Sequence, residues 1–538
     1  MKKNLQRLFG LMLVLVMLLS LIACGDSGGS ESNSPNNPNG GTSQEPGGSG
    51  SGESVGANVT IATFYDRTNL SPLRTTSDNV YPDILMIYER PMYLTPDNEY
   101  VPWLIKDYST ADGVNYDFEI YDYITDSQNN RITAEDIVWI IEKNIEVAMK
   151  PDFSKVVSVE VTGDYTIHIE LNENRVYLFE TIMWNTNVVS KAAFEASSDE
   201  MATSPVSTSP YVVTNFVPSS TLTLEKRDGY WQTDASLIPA GLEAVSQSVT
   251  FNTVAELAQR TIAVETGVAD IAFDIDASAI DPFLDNKNYV TSVVPDMEGV
   301  SLFVSGHASR IVSDNLALRQ AIFYAIDPNA LVQGVAFGHG SPMSDYCPPV
   351  GVGYLNKWDN EEYFTHNVDK AKALLAEAGY NGEEISMVVF NNWQRIGEII
   401  QSSCLEAGIN IKLDIKDYAG LGQVRTDGSA WDMFLYCYTT PSLAYNWSLC
   451  FDSNAFPTGD AMSRKDEELT NMLYTTWVNG GYTEQNIDAI HSYIMDHAYA
   501  RGLFLQDKFN IVRADANLSW GSTCYLGTIA PWSISTTK

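Results

Sequence analysis

The stretch between Asp432 and Asp452 carries the side chains best suited to ligand binding. It has no acidic residue, and its aromatic residues are Phe434, Tyr436, Tyr438, Tyr445, Trp447 and Phe451. Aromatic rings with a polar tip suit a partly wet pocket, because the ring is apolar while its hydroxyl or N–H can hydrogen-bond. We expect Tyr436, Tyr438, Tyr445 and Trp447 to line a cleft and the two phenylalanines to fill the core. The alternative, in which all these rings pack in the core, stays open.

Two common motifs of enzyme chemistry are absent from the sequence, the phosphate-binding GxxxxGK[ST] and the metalloprotease HExxH. The nucleophile-elbow pattern GxSxG occurs only at 25–29 and 52–56, within a stretch rich in Gly and Ser. His491 and His497 are six residues apart, which puts them on different sides of a helix. Paired carboxylates occur by chance in so acidic a chain, so a secreted hydrolase remains an alternative of a different class. We predict a binding protein that is not an enzyme and has neither a cofactor nor a metal site.

Charge and cysteine content exclude further classes. The 538 residues include 68 acidic and 32 basic side chains, a formal net charge of −36. Nucleic acids and anionic membrane surfaces attract basic proteins, so we expect no nucleic-acid partner. None of the six cysteines lies in a CxxC pair, which disfavours a metal cluster. Cys437 and Cys450 are near enough in sequence to close a disulfide loop outside the cytosol, although spacing alone does not establish it.

The N-terminus has the features of an export signal. A basic start is followed by an apolar run that is short for a membrane span, and the run ends in Leu-Ile-Ala before Cys24. This order matches the lipobox of bacterial lipoproteins, so we predict a signal peptide over residues 1–23 and a lipid on Cys24. Residues 24–57 are mostly Gly, Ser, Asn and Pro, which predicts a flexible linker. An ordinary signal peptide with a chance cysteine is the alternative.

Residues 313–340 predict two short helices joined at a corner. Asp314 is a suitable N-cap, and Leu318, Ile322 and their apolar neighbours recur at helical spacing. Arg319 and Gln320 would mark the solvent side of the first helix. Asp327-Pro328 then ends it and starts the next, because Asp caps well and Pro is tolerated at the first helical position.

Other segments predict a mixed α/β chain. Thr133 with Asp136 three residues later predicts a helix start, and the run around Thr162-Gly163-Asp164 predicts a β-hairpin. Residues 385–415 predict strand, helix and strand, and residues 301–305 and 502–512 predict strands that connect two lobes. The segment from 431 to 447 predicts a strand entering an aromatic loop.

Several of these segments resemble one family in wording and order. RQAIFYAIDPNALVQGVAFGHGSP, NVDKAKALLAEAGY and ITAEDIVW are similar to motifs of the extracytoplasmic solute-binding proteins of peptide and nickel ABC importers, the family 5 or oligopeptide/dipeptide-binding type. The resemblance covers about residues 58–538. It implies an α/β, two-lobed periplasmic-binding-protein type II-like fold with an enlarged first lobe. The first lobe would span 58–300, with 503–538 returning to it, and the second 301–502.

The resemblance also suggests where a ligand would bind. In peptide-binding relatives, the segment after the strand at 433–438 resembles a place where an aspartate holds the α-ammonium group of the ligand; Thr439 and Thr440 stand there instead. Trp393 precedes a helix whose free N–H groups could meet a carboxylate or a carbonyl. Tyr65 follows the opening strand, where loops face the crevice between lobes. We expect all four residues to contact ligand.

These expectations combine into a lipid-anchored receptor of an ABC importer. It would bind a peptide or small molecule between two lobes, as a monomer, and deliver it to a membrane permease with its ATPase subunits. The predicted location is the outer face of the cytoplasmic membrane, in a Gram-positive bacterium. An oligosaccharide stacked on Tyr and Trp is the alternative cargo, followed by a metal chelate.

Overall fold

The computed structural model describes residues 55–73, 81–343, 346, 353–361, 363–425, 427–438, 443–452, 466–478, 480–524 and 528–537. Residues 54–538 form one compact unit. Within the described ranges, no helix has the length and apolarity needed to cross a membrane.

The strands and helices alternate along much of the chain, which is the mixed α/β content that the sequence predicts. The strands are β1 Val55–Gly56, β2 Asn58–Thr63, β3 Met92–Leu94, β4 Tyr100–Pro102, β5 Ile105–Thr110, β6 Asn115–Ile120, β7 Val156–Gly163, β8 Thr166–Leu171, β9 Tyr211–Val217, β10 Thr221–Lys226, β11 Ser248–Thr253, β12 Ile271–Ile275, β13 Tyr289–Val304, β14 Gly340–Pro342, β15 Ile385–Phe390, β16 Ile411–Lys416, β17 Met433–Tyr438, β18 Ala500–Arg513, β19 Leu518–Trp520 and β20 Ile534–Thr536. The helices are α1 Pro82–Leu85, α2 Ala134–Val147, α3 Leu178–Trp184, α4 Lys191–Ala196, α5 Leu257–Glu265, α6 Ala277–Ile280, α7 Leu316–Ala325, α8 Pro328–Gly334, α9 Val368–Ala378, α10 Gln394–Ala407, α11 Tyr418–Val424, α12 Leu443–Phe451, α13 Glu467–Leu473 and α14 Glu484–Asp496.

One long mixed sheet organises the fold. Its strand order is β16-β15-β17-β13-β18-β12-β2-β11-β10-β9, and β14 pairs with β18 off this path. Strand β2 is parallel to both β11 and β12, and β15 is parallel to both β16 and β17. The antiparallel strands β13 and β18 lie between these two parallel sets. A separate antiparallel sheet, β5-β6-β8-β7, packs on α2 and enlarges the N-terminal half.

The apolar side chains gather in three clusters. The first core contains residues from 57–273 and 512–534, and the second core contains residues from 300–504. A smaller third core joins Ala62 and residues 263–283 with Phe509 and Ile511. The end of the predicted linker, residues 24–57, is ordered in part. Val55 and Gly56 pair with β20 and form strand β1.

Strands β13 and β18 connect the cores. Tyr289 and Phe509 pack at the third core, whereas Phe303 and Ala500, which face each other further along the ladder, lie in the second. Between the pairs Val294–Lys508 and Glu298–Gln506, the register shifts, so that β13 advances four residues while β18 advances two. Such an irregularity interrupts the ladder and lets the strands bend locally. We call residues 295–298 and 506–508 the hinge.

The predicted helix corner is confirmed, but two of its details are wrong. Asn315, not Asp314, caps α7, since its side chain accepts a hydrogen bond from Leu318 N at 3.0 Å. Arg319 is buried and donates to the backbone oxygens of Val312, Ser313 and His497. The Arg319 guanidinium therefore donates its hydrogen bonds to carbonyls of two separate loops. Helical spacing in the sequence does not predict such contacts.

Other local predictions are confirmed. Asp136 accepts from Thr133 N at 2.8 Å at the start of α2, and β7 and β8 form the predicted hairpin. Residues 385–416 form the strand–helix–strand unit β15-α10-β16. The aromatic loop after β17 is wrong in part: residues 443–451 form helix α12, because Leu443, Trp447 and Phe451 recur at four-residue spacing on a buried face.

The second core contains a histidine that predicts a pH effect on stability. His491 is fully buried and stacks on Trp358 with ring centroids 4.1 Å apart, and burial lowers its pKa to about 3. Below about pH 6.5, His491 therefore becomes protonated in the unfolded chain but stays neutral in the folded chain. The free energy of unfolding is accordingly highest above that pH and falls as the pH drops. Lowering the pH from 7.5 to 5 should remove roughly 2 kcal/mol through this residue.

Denaturant unfolding at the two pH values measures this effect. His491→Gln should show a smaller pH-dependent loss than the wild-type protein. His366→Gln alters a partly exposed histidine and serves as the matched control. Equal losses in the wild-type and His491→Gln proteins would show that His491 takes up a proton as readily in the folded chain as in the unfolded chain.

Candidate functional site

The carboxyl ends of three parallel strands lie together on the second core. Strand β15 ends at Phe390, β16 at Lys416 and β17 at Tyr438, and β15 is the parallel partner of both others. Residues that follow these strands therefore lie at one edge of the sheet. Binding residues collect at such edges in open α/β sheets.

The same arrangement recurs on the N-terminal side. Strands β2, β11 and β12 run parallel and end at Thr63, Thr253 and Ile275. Tyr65 follows β2 directly, and its backbone oxygen accepts a hydrogen bond from Thr253 Oγ1 at 3.0 Å. The loop after β2 is thereby fixed to the end of β11.

Both edges meet at the hinge. Tyr438, at the end of β17, pairs with Gly299, which adjoins hinge residue Glu298. Ile275, at the end of β12, pairs with Phe509, which adjoins hinge residue Lys508. The two sets of carboxyl ends thus flank one short stretch of paired strands whose ladder is interrupted.

Tyr65 lies in a charged cluster at the N-terminal edge. Burial, reinforced by the Asp274 charge, raises the pKa of Tyr65 well above its ordinary value. Burial also raises the pKa of the Asp274 carboxyl, while the neighbouring Lys508, Tyr65 and Arg260 side chains oppose that shift. Asp274 has a positive φ of 53°, a region that L residues seldom adopt. We call Tyr65, Asp274, Arg260 and Lys508 the strand-end cluster.

A small pocket lies beside this cluster. Arg67 forms a buried two-point ion pair with Asp83, at 2.6 and 3.0 Å, and its guanidinium lies 4.7 Å from the centre of the Tyr81 ring. The pocket is about 240 Å³ including its open mouth, and its walls include Thr63, Phe216, Ser220, Leu222, Phe251 and Thr253. Most of this volume is open solvent, and the enclosed part has room for about one water molecule.

The predicted site residues of the second core differ in burial. Trp393 is partly buried directly before α10 and contacts Phe390 with ring centroids 5.8 Å apart. Tyr436 is partly buried, and its hydroxyl accepts from Arg425 Nη1 at 3.5 Å. Trp447 is fully buried among the rings of Tyr346, Trp358 and Trp477. Trp393 therefore lies at the carboxyl edge with the end of β17, whereas Trp447 packs in the core.

The other predicted residues lie outside the described part of the chain. They are Cys24, Thr439 and Thr440, together with the side chains of Tyr438, Tyr445 and Cys437, although Tyr438 and Tyr445 have described backbones in β17 and α12. Ligand contacts by any of the predicted residues, and the Cys437–Cys450 disulfide, stay predictions.

Sequence reasoning missed Asp274 and Tyr177. Asp274 ends a predicted strand, so the rule that ligands meet the carboxyl ends of strands could have identified it. Tyr177 carries no such signal, because its contacts come from a distant part of the chain.

Val176 and Tyr177 contact residues of the second core. Val176 N donates to Trp477 O at 2.7 Å, and the Tyr177 ring lies 5.8 Å from that of Tyr482. Burial raises the pKa of Tyr482, and the nearby Tyr177 side chain reinforces that shift. Tyr177 holds a positive φ of 59°, and residues 474–478 form a π-helical turn, a feature frequent at functional sites.

A second contact spans the hinge itself. His339 Nε2 lies 2.9 Å from Asp281 Oδ1, and the His339 ring packs edge-on against Phe509. His339 directly precedes β14, whereas Asp281 follows α6. The N-terminal half therefore contacts later parts of the chain both at His339 and at Tyr177.

Comparison with known sequences identifies the class of protein that has this fold and crevice. The family described as bacterial extracellular solute-binding proteins, family 5, middle region, matches residues 99–453. The chain belongs to this family, and the resemblance inferred from its motifs is confirmed. The family consists of extracytoplasmic binding proteins of the peptide and nickel ABC-importer type, not of enzymes.

Individual relatives show how widely this family varies. The nickel-binding protein NikA of Staphylococcus aureus is 23% identical over 387 residues, covering 69% of this chain and 74% of that protein. The glutathione-binding protein GsiB of Escherichia coli is 28% identical over 247 residues, so this chain spans about half of its length, 45%. The crystal structure of the ABC transporter substrate-binding protein CtaP from Listeria monocytogenes aligns with a TM-score of 0.75 at 17% identity, covering 90% of this chain and 100% of that one. The predicted two-lobed α/β fold is therefore confirmed.

We expect Tyr177→Phe to loosen the contact between the lobes. The variant keeps the ring but removes the hydroxyl beside Tyr482, so the contact should open more often and the Val176 amide should lose protection. Hydrogen–deuterium exchange of the ligand-free protein measures this, with a several-fold faster exchange expected at residues 176 and 482 and no change in the β7-β8 hairpin.

Tyr474→Phe is the matched control. Tyr474 lies in the π-helical turn that contains Trp477, but its side chain is 49% exposed. Unchanged exchange at Val176 in Tyr177→Phe would mean that the hydroxyl bond does not hold the lobes together.

Proposed function

We propose that this protein is the lipid-anchored receptor of an ABC importer and that it captures peptides in the crevice between its lobes. The observation that carries the proposal is the meeting of both sets of strand carboxyl ends at a two-strand hinge. Closure about such a hinge encloses a ligand and presents one closed shape to a permease. The lobes in this proposal are residues 58–300 with 503–538, and residues 301–502.

Peptide is the proposed cargo because of the chemistry at the edges. The free N–H groups at the N-terminus of α10, directly after Trp393, can bond a peptide backbone whatever its side chains are. A glutathione-binding relative supports a peptide, since glutathione is a tripeptide, whereas a nickel-binding relative supports a metal chelate as the competing cargo.

The remaining partners follow from the proposed role. The permease and its ATPase subunits would receive the closed protein at the membrane, where the lipid on Cys24 would hold it. The protein would act as a monomer on the outer face of a Gram-positive cytoplasmic membrane.

Ligand released from the purified protein tests the proposed cargo. We expect mass spectrometry of full-length protein, solubilised in mild detergent and then denatured, to detect short peptides of varied sequence in near-stoichiometric amount. An unrelated lipoprotein taken through the same purification sets the background. Sugars or a metal chelate in place of peptides, or an empty protein that no peptide mixture stabilises, would contradict peptide capture.

Lipidation is tested separately. Metabolic labelling of a bacterial host with an alkyne fatty acid should label the wild-type protein, whereas Cys24→Ser should lose the label, because only the Cys24 sulfur can carry the diacylglycerol. Cys404→Ser removes a buried thiol and should keep the label as the matched control. Persistent labelling of Cys24→Ser would show that the lipid is attached elsewhere.

A further inference from the structure

Strand β18 crosses the hinge with less support than it has on either side. Strand β12 pairs with it from Val512 to Phe509, and β14 pairs with it from Gln506 to Phe504. Among the described strands, this edge therefore has no ladder partner at 507–508. On the other edge, the register shift in β13 interrupts the pairing between 506 and 508. Strands bend where a ladder is interrupted, so β18 is least constrained here.

The loop before β14 is fixed to the second core. His339 N donates to the backbone oxygen of Ala336, a buried residue of that core, at 2.7 Å. Gly340 lies so close to β18 that a Cβ atom on it would come within 2.2 Å of Leu505 O. The loop is thus packed tightly against both its neighbours, and the His339 backbone moves with the second core.

The His339 side chain extends in the other direction, to the third core. Its Nε2 atom lies 2.9 Å from Oδ1 of Asp281, which directly follows α6, and the buried residues of α6 belong to that core. The His339 ring also packs edge-on against Phe509 of the third core, with ring centroids 5.4 Å apart. One side chain therefore bridges the gap between β12 and β14.

The charged groups near the His339 ring are mainly acids. Asp281 faces it from the turn after α6. Extending the β14–β18 register by one residue places Asp507 opposite His339. Lys508 is one position further along β18, and its Nζ atom lies 3.4 Å from Asp276. A proton on His339 therefore meets opposite charge.

Protonation changes the strength of this bridge. A neutral imidazole can donate its Nε2–H to Asp281, whereas a protonated imidazole makes a charge-assisted hydrogen bond, which is stronger. Histidine ordinarily changes charge at about pH 6.5, within the range that a protein outside the cytosol meets. The bridge is therefore stronger below that pH and weaker above it.

We propose that the His339–Asp281 bridge is a proton-dependent brake on bending at the hinge. Below about pH 6.5, the charged bridge holds the ends of β12 and β14 in line along β18, and above it the strand bends more readily. The inference concerns bending alone, so it goes beyond the proposed function and stands whichever cargo the protein binds. Because the Asp281 side chain is 76% exposed, solvent screens the pair, and we expect only about a threefold change in the frequency of opening.

Hydrogen–deuterium exchange of the ligand-free, full-length protein in mild detergent tests the brake. The protein is labelled at pH 5.5 and 7.5, for times scaled to the intrinsic exchange rate at each pH. In the wild-type protein, amides of residues 504–510 should exchange about threefold more slowly at pH 5.5. The direction is diagnostic, because protonation of His491 in the unfolded chain lowers global stability at that pH and would speed exchange instead.

Variants at the bridge and away from it identify the cause. His339→Gln keeps a side-chain donor but does not take up a proton, so exchange at 504–510 should be equal at both pH values. Asp281→Asn should give the same result, and the double variant should match either single one, because the two residues act as a pair. His168→Gln breaks a similar pair, 2.8 Å from Asp117 on the separate β5-β6-β8-β7 sheet, and should keep the wild-type difference.

Three outcomes would overturn the brake. Wild-type exchange at 504–510 that is equal at both pH values, or faster at pH 5.5, would show that protonation does not hold the hinge. A pH difference that persists in His339→Gln would assign it to another group. Loss of the difference in His168→Gln would show a general effect of pH that does not depend on the bridge.

Discussion

The antiparallel pairing of β13 with β18 is the constraint on which the rest of the structure depends. These strands carry apolar residues into the second core at one end and into the third core at the other. Each core is thereby anchored to the same two strands. The register shift between them lies where the carboxyl ends of β12 and β17 arrive, so one irregularity both permits bending and positions the crevice.

Polar groups are placed so that they hold the two halves without filling the crevice edges. Arg319 binds carbonyls from two loops, and Arg67 pairs with Asp83, so these buried cations are matched inside one half. Tyr177 and His339 instead reach across to the other half. Hydrogen bonds of this kind hold the halves weakly, because each contributes only about 1 kcal/mol and can be exchanged for water.

The acids near the ends of β2 and β12 differ in how they are paired. Asp83 is neutralised by Arg67, and Asp276 faces Lys508, whereas Asp274 Oδ2 has no hydrogen-bond partner among the described residues. In a chain with a net charge of −36, acidic residues alone identify no site.

The sequence by itself determined the local elements and the family. Helix α9, the β7-β8 hairpin, the Asp327-Pro328 corner and the β15-α10-β16 unit follow from spacing and capping within short windows, because neighbouring residues decide them. Only the tertiary structure decided that Arg319 is buried, that residues 443–451 are helical, that Tyr177 meets Tyr482, and that Asp274 lies at the hinge. Those outcomes depend on carbonyls, rings and strands brought together from hundreds of residues apart, and no local pattern records them.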